Sequence, residues 1–259
     1  MLFKRGRRPA VHTQCTMRSA IALFKALATL GPAPAVSADY ITAVTRQAPN
    51  GWGMYLNDQL GDCVCADSCH TLMLRTANAG TIVIPTDQDA LSLYEAVGGY
   101  VQGQPSTDTG CDETSMCQYL ESTGLCGQKS VGTGMLDPTN LDHLKWTVQI
   151  FGACRLGIIV DGDMEQLFAS KQPWEQPAAA NDPSAGGHDV PIVGYDAEYA
   201  YVVTWGGIQP VAWSLVANSA FLDEAHCEVW PDFIGATGTT PGGFDLATLM
   251  DDLQILQAT

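Results

Sequence analysis

Apolar and polar positions fall into two regimes along the chain. Residues 62–79, 87–100, 112–124 and 140–152 carry the signals of helices. Leu91, Tyr94 and Val97 share one side of the second, and Leu141, Leu144, Val148 and Phe151 form one stripe on the last. Asp62 is placed to cap the first, with Gly80, Gly124 and Gly152 as helix stops. After residue 153 the pattern becomes short β-rich runs: CRLGIIV (154–160), HDVPIVGYD (188–196), YAYVVTWG (199–206) and PVAWSLV (210–216). A long polar loop, QPWEQPAAANDPSAGG, separates the first two. Helices are also predicted over TMRSAIALFKAL (16–27) and at 244–257. Helices first and strands after predict an α+β chain in two halves.

The 259 residues suffice for one large domain or two small ones, and 46% hydrophobic with 15% charged content is globular. Charge divides the chain. Residues 1–46 hold seven lysines and arginines against one acid, whereas the remainder holds five bases against 27 acids. A basic arm and linker (1–46) on an acidic body (47–259) is expected to fold onto that body or to dock an assembly partner. The acidic body argues against nucleic-acid binding through its main surface. No run of eighteen apolar residues predicts a membrane span. KRGRR and AVSA resemble parts of a leader, but Arg18 and Lys25 interrupt its apolar region, so a cytoplasmic or virion-associated location is expected over a secreted one. Residues 1–45 are short for an inhibitory pro-domain, and none is expected. Nine cysteines leave one thiol unpaired in a monomer.

Three of those cysteines and a histidine crowd LNDQLGDCVCADSCH (56–70). A metal cluster is disfavoured: on one helix, Cys63 and His70 stand about 10 Å apart at 1.5 Å per residue. Cys65 and Cys69 are one turn apart, which seldom closes as a disulfide; either could pair with Cys111, Cys117 or Cys126. The nucleophile reading fits better. Cys63 opens a helix after Gly61, where the helix dipole and free N–H groups favour a thiolate. His70 is too far to be its base and reads as structural. Among the other histidines, His188 stands out, after Gly-Gly at the head of an apolar strand. His12, His143 and His226 sit in the arm, on a polar helix side and between acids. No cofactor or metal is expected.

GDC (61–63), HDVPIVGY (188–195) and VTWG (203–206), in that order, resemble the papain-like cysteine peptidases. STDTGCDETSMCQYLESTGLCG is similar to a loop and helix of bacterial members. The arm, LNDQLGDC, GGHDVPIVGYD and DEAH look like an uncharacterised phage and bacterial group. The resemblance spans roughly residues 50–235. It implies a two-lobed fold: a helical lobe (about 50–150) whose central helix packs on an antiparallel β-sheet or barrel lobe (about 151–235). It implies Cys63 as nucleophile, His188 as base, Asn57 in place of the family's oxyanion glutamine with Gln59 as a substitute, and Trp205 as the base's shield.

Two departures follow. The asparagine that orients the family's histidine aligns with Val203, which cannot hydrogen-bond. Thr204 is adjacent, but strand alternation is expected to turn it away unless the strand bulges; Gln209 or Asp223 are other candidate orienters. Asp189, beside His188, should face away yet could raise the imidazole pKa. The expected activity is thiol hydrolysis of a peptide or protein substrate through a Cys63 thioester. The alternative is a papain fold serving as a weakly active or inactive binding protein, for example a virion or assembly component.

Overall fold

The computed structural model describes residues 3–9 and 31–233; the helices predicted at 16–27 and 244–257, and His12, lie outside them. Five helices precede or interleave with the early strands: α1 (Ile41–Gln47), α2 (Cys63–Ala79), α3 (Asp87–Leu93), α4 (Glu113–Ser122) and α5 (Leu141–Phe151). The strands are β1 (Gly132–Leu136), β2 (Cys154–Val160), β3 (Gly186–Tyr195), β4 (Tyr199–Thr204), β5 (Gly207–Ala212) and β6 (Leu222–Val229). Short helices α6 (Gly162–Ala169) and α7 (Trp213–Val216) follow β2 and β5. The strands make one antiparallel sheet in the order β1-β6-β2-β3-β4-β5. No helix among the described residues is long and apolar enough to cross a membrane.

Alternation along the strands builds two cores. Val190, Ile192 and Val202 point to one face, where α5 closes over Leu156, Ile158 and Trp174. Val193 and Val203 point to the other, against α2 and Leu72, Met73 and Leu74. This is the α+β, two-lobed arrangement of helices against an antiparallel sheet. β1 and α5 precede residue 151 yet pack with the sheet, so the seam between the cores does not follow a single cut in the chain.

Some local readings change. The run 210–216 is a strand only to Ala212; its remainder is the helical turn α7, because Trp213 bonds back through its amide to Glu198 O (3.1 Å) and its ring N–H to Asp196 O (3.0 Å). Asp62 occupies the cap position of α2, but its side chain makes no cap bond; Oδ1 instead accepts from Asn57 (3.2 Å).

Helix α2 is buried from Cys63 to Ala77. Its polar residues therefore need internal partners. Arg155 on β2 supplies them. Its guanidinium donates to Ser68 Oγ (2.8 Å) and Val64 O (3.2 Å) on α2, to Glu228 on β6 (3.0 Å) and to Asp189 on β3, and pairs with Asp67 (3.1 Å). One fork-shaped cation thus ties α2 to three strands. Replacing it leaves three buried carboxyls without a counter-charge. Arg155→Met is expected to lose roughly 3–5 kcal/mol of stability, and Arg155→Lys to rescue little because an ammonium cannot fork to three other elements; urea midpoints check both.

Candidate active site

Cys63 is the first residue of α2, with its side chain against the seam between the cores. Its thiol lies on the backbone N–H groups of Gly6 and Asp189. Asp189, whose N–H meets the thiol, directly follows His188, the candidate base, in β3. His188 Nε2 is 2.8 Å from Thr204 Oγ1, and its ring stacks on Trp205 at 4.8 Å and 23°. His188 Nδ1 is buried and has no hydrogen-bond partner among the described residues. With the proton on Nε2 and Thr204 accepting it, Nδ1 is a bare acceptor, the state a thiol proton needs.

Thr204 is the hydrogen-bond partner of the His188 ring. The expectation that alternation turns it away does not hold. β4 pairs with β3 so that Val202 opposes Ile192, and the irregularity falls in β3, between Ile192 and Gly194. Thr204 and Val202 therefore share the face of His188, Val190 and Ile192, and Val203 takes the α2 face. The tight β4–β5 turn then places Trp205. Its φ is +44° and that of Gly206 is +75°, the two positive values a two-residue hairpin turn demands. A tryptophan there is strained. Stacking by His188 and by Phe3 (4.5 Å, 13°) holds it.

Other predicted positions behave differently. Asn57 is buried, but its amide donates to Asp62 Oδ1 and to Leu60 O (3.3 Å), so an oxyanion role requires releasing one of them. Gln59 is exposed and touches Asp58, away from the thiol. Gln209 donates to Gln172 O and Pro210 O, and Asp223 pairs with Arg7, so neither orients His188. Asp189 does face away, onto Arg155; burial raises its pKa to about 6. His70 is a buried structural histidine 3.0 Å from Gly53 O. The eight described cysteines are free, with Cys65 and Cys111 sulfurs 3.9 Å apart.

The larger surprise is the arm. Residues 3–9 run through the seam and cover the thiol. Lys4 N donates to Asn57 O (3.2 Å), Cys111 N to Gly6 O (2.9 Å), Arg7 N to Gly187 O (3.2 Å) and Arg8 N to Cys111 O (2.9 Å). Gly6 crosses Cys63 so closely that a Cβ on it would lie 1.7 Å from Gly61 O. Arg5 reaches Glu165 and Ser184 O; Arg7 reaches Glu224 and Asp223. The sequence signal was the charge asymmetry, which put the arm on the body without saying where. The seven described residues of the arm lie over Cys63, which is 1% exposed.

Sealing reverses the expected electrostatics. Burial, then the charge of Asp189, pushes the Cys63 thiol well above its ordinary value, outweighing the Gly6 and Asp189 N–H groups that favour the thiolate. Burial, then Arg5 and Arg7, pushes His188 down to about 3. The pair is a neutral thiol and a neutral imidazole while the arm is in place.

Among solved structures, the chain is similar to xylellain, a cysteine protease from Xylella fastidiosa, at 13% identity over 88% of this chain and 96% of that one, with a TM-score of 0.58. It is also similar to the proCathepsin B S9 of Trypanosoma congolense, at 14% identity over 88% and 86% of the two chains, with a TM-score of 0.56. No family model and no curated protein matches the chain. The likeness establishes the papain-like fold.

Thr204→Val leaves a buried imidazole nitrogen unpaired and is expected to cost about 1–3 kcal/mol, with Thr204→Ser costing less; denaturant midpoints decide this. Acid should loosen the arm. His188 is depressed by burial, then by Arg5 and Arg7, to about 3. It gains pKa when the arm leaves, so the open form binds one more proton and gains population as pH falls from about 6.5 toward 3. Hydrogen exchange of the Arg7 and Arg8 amides, referenced to intrinsic rates, should lose protection between pH 7.5 and 5 while α2 keeps its own.

Proposed function

We propose that the chain is a papain-like thiol peptidase held closed by its own residues 3–9. One observation carries the reading: a stretch of polypeptide lies across Cys63, hydrogen-bonded through its backbone to Asn57 and Cys111 on one wall and Gly187 on the other. A seam that binds a main chain on both sides is a peptide cleft, and a thiol with a neighbouring imidazole is the chemistry to cut one.

In the open form, His188 Nδ1 takes the Cys63 proton as the sulfur attacks the substrate carbonyl. The resulting oxyanion meets the Cys63 N–H and a released Asn57 amide. Collapse breaks the C–N bond, the imidazolium returns its proton to the amine, and a thioester remains. Water, deprotonated by His188, then hydrolyses it and restores the thiol. Thr204 holds the ring and Trp205 shields it. The peptide or protein substrate must displace the arm or find it already displaced.

The second reading is a papain fold without turnover, and the sealed, neutral dyad favours it. Gly6→Ala separates the two, because its Cβ cannot fit against Gly61. An epoxide that alkylates activated thiols is expected to label Cys63 at least tenfold faster in Gly6→Ala than in the native chain, with the gain lost on adding His188→Ala. Peptide mapping locates the label. A folded Gly6→Ala protein whose Cys63 reacts like an ordinary thiol would rule out the peptidase.

A further inference from the structure

The side chain of Arg7 enters a pocket made by the body, not by the arm. Asp223 and Glu224 come from β6 and Glu113 from α4. Nη1 is 2.7 Å from Glu224 Oε1, Nη2 is 2.7 Å from Asp223 Oδ2, and Nε is 3.9 Å from Glu113 Oε1. The guanidinium side chain is 1% exposed, and Glu113 and Glu224 are 0% and 2% exposed. Neither Glu113 oxygen has a hydrogen-bond partner among the described residues, although both face cations or protonatable groups, Arg7 and His226 (3.6 Å).

The space is shaped for this occupant. Gly157 forms one wall, and a Cβ there would fall 2.4 Å from Glu113 Oε1 and 3.0 Å from Arg7 Cδ. A Cβ on Gly187 would fall 2.5 Å from Arg7 O. The two nitrogens of the fork meet two different carboxylates, which a lysine ammonium cannot reproduce. The pocket also lies one residue from the thiol: Gly6 crosses Cys63, and Arg7 bonds the carbonyl just before His188. When the arm leaves, these carboxylates face one another with no cation between them. Whatever takes the arm's place gains by restoring one.

We infer that Glu113, Asp223 and Glu224 form a specificity pocket for an arginine side chain, so that the cleft selects peptides in which arginine adjoins a small residue crossing Cys63. This deepens the peptidase reading and rests on it. The rival occupant is a metal ion, since Glu113, Glu224 and His226 offer ligand atoms within 4.8 Å of one another.

The test uses the full-length chain carrying Cys63→Ala and Arg7→Ala, which empties the pocket and removes the nucleophile. Two probes, acetyl-Gly-Arg-Gly-amide and the same peptide with citrulline, are titrated calorimetrically. The arginine peptide is expected to bind at least tenfold tighter, and a further Glu224→Gln to reduce that preference to under threefold. Equal binding of the two peptides, or binding of neither, would overturn the pocket. So would zinc chloride alone binding in a His226-dependent way and displacing the arginine peptide. If Arg7→Ala does not fold, Cys63→Ala with Gly6→Ala, which expels the arm and keeps Arg7, serves in its place. Because binding is read without the nucleophile, arginine selectivity with no cleavage by a Cys63-intact Gly6→Ala chain would sink the peptidase reading alone. Cleavage of both peptides at equal rates would sink the pocket alone.

Discussion

A helix buried on every side is a demanding element, because each polar group it carries must be satisfied inside the protein. Helix α2 is such an element, and it carries the thiol at its first position. Burial on the sheet side is met by Val193 and Val203, and burial of Asp67, Ser68 and the Val64 carbonyl is met by Arg155. The same guanidinium engages Asp189. Cys63 and His188 are thereby fixed relative to each other through one cation: α2 is held by its polar side, and β3 by the residue next to the base. Apolar packing alone permits a helix to slide or rotate by fractions of a turn at little cost. A forked ion pair with hydrogen bonds to several elements does not.

Much of this was legible in the sequence because it depends on local pattern. The helix spacing at 62–79 and 140–152, the strand at 188–195 and the order of GDC, HDVPIVGY and VTWG come from residues close in the chain. What was not legible depends on remote partners. β6, LDEAHCEV, reads as polar, yet Glu224, His226 and Glu228 point inward. Its buried charges are satisfied by Arg7 and Arg155, far away in sequence, so no local window marks it as a strand. Thr204 was misjudged for a related reason. Its own alternation was read correctly, but its register against β3 is set by an irregularity on the partner strand. The thiol's ionisation was misjudged because helix position favours the thiolate whereas burial opposes it and outweighs it.

The arm also explains why the charge is so unevenly divided. The body concentrates carboxylates at the seam, in Glu113, Glu165, Asp223 and Glu224, and four acids around a cleft repel one another. In the closed form Arg5 pairs with Glu165, and Arg7 with Asp223 and Glu224. Closure and recognition therefore draw on the same groups: the carboxylates that hold the arm are those an incoming chain would meet. Gly6 adds a steric requirement. Only a residue without a side chain passes Gly61 and Cys63 at this distance, and Gly110, at a φ of +77°, presses on Gly6 from the far side.

These constraints bear on how closure could be reversible. Seven residues bound by four main-chain hydrogen bonds, two buried arginines and one stacked phenylalanine make a small interface, tethered so that its effective concentration is high. A tethered segment of moderate intrinsic affinity stays bound without being permanent. Loss of one contact matters more than it would in a core, because the contacts are strung along an extended chain. Phe3 on Trp205 anchors one end, Arg8 on Gly98 and Thr109 the other, and Gly6 lies between them over the thiol. Peeling from the Phe3 end removes one stacking partner of Trp205 and then Arg5, one of the two arm cations that depress His188. The other, Arg7, still bears on the base while the acidic pocket stays filled, so an ordinary protonation range returns only when the whole segment has left.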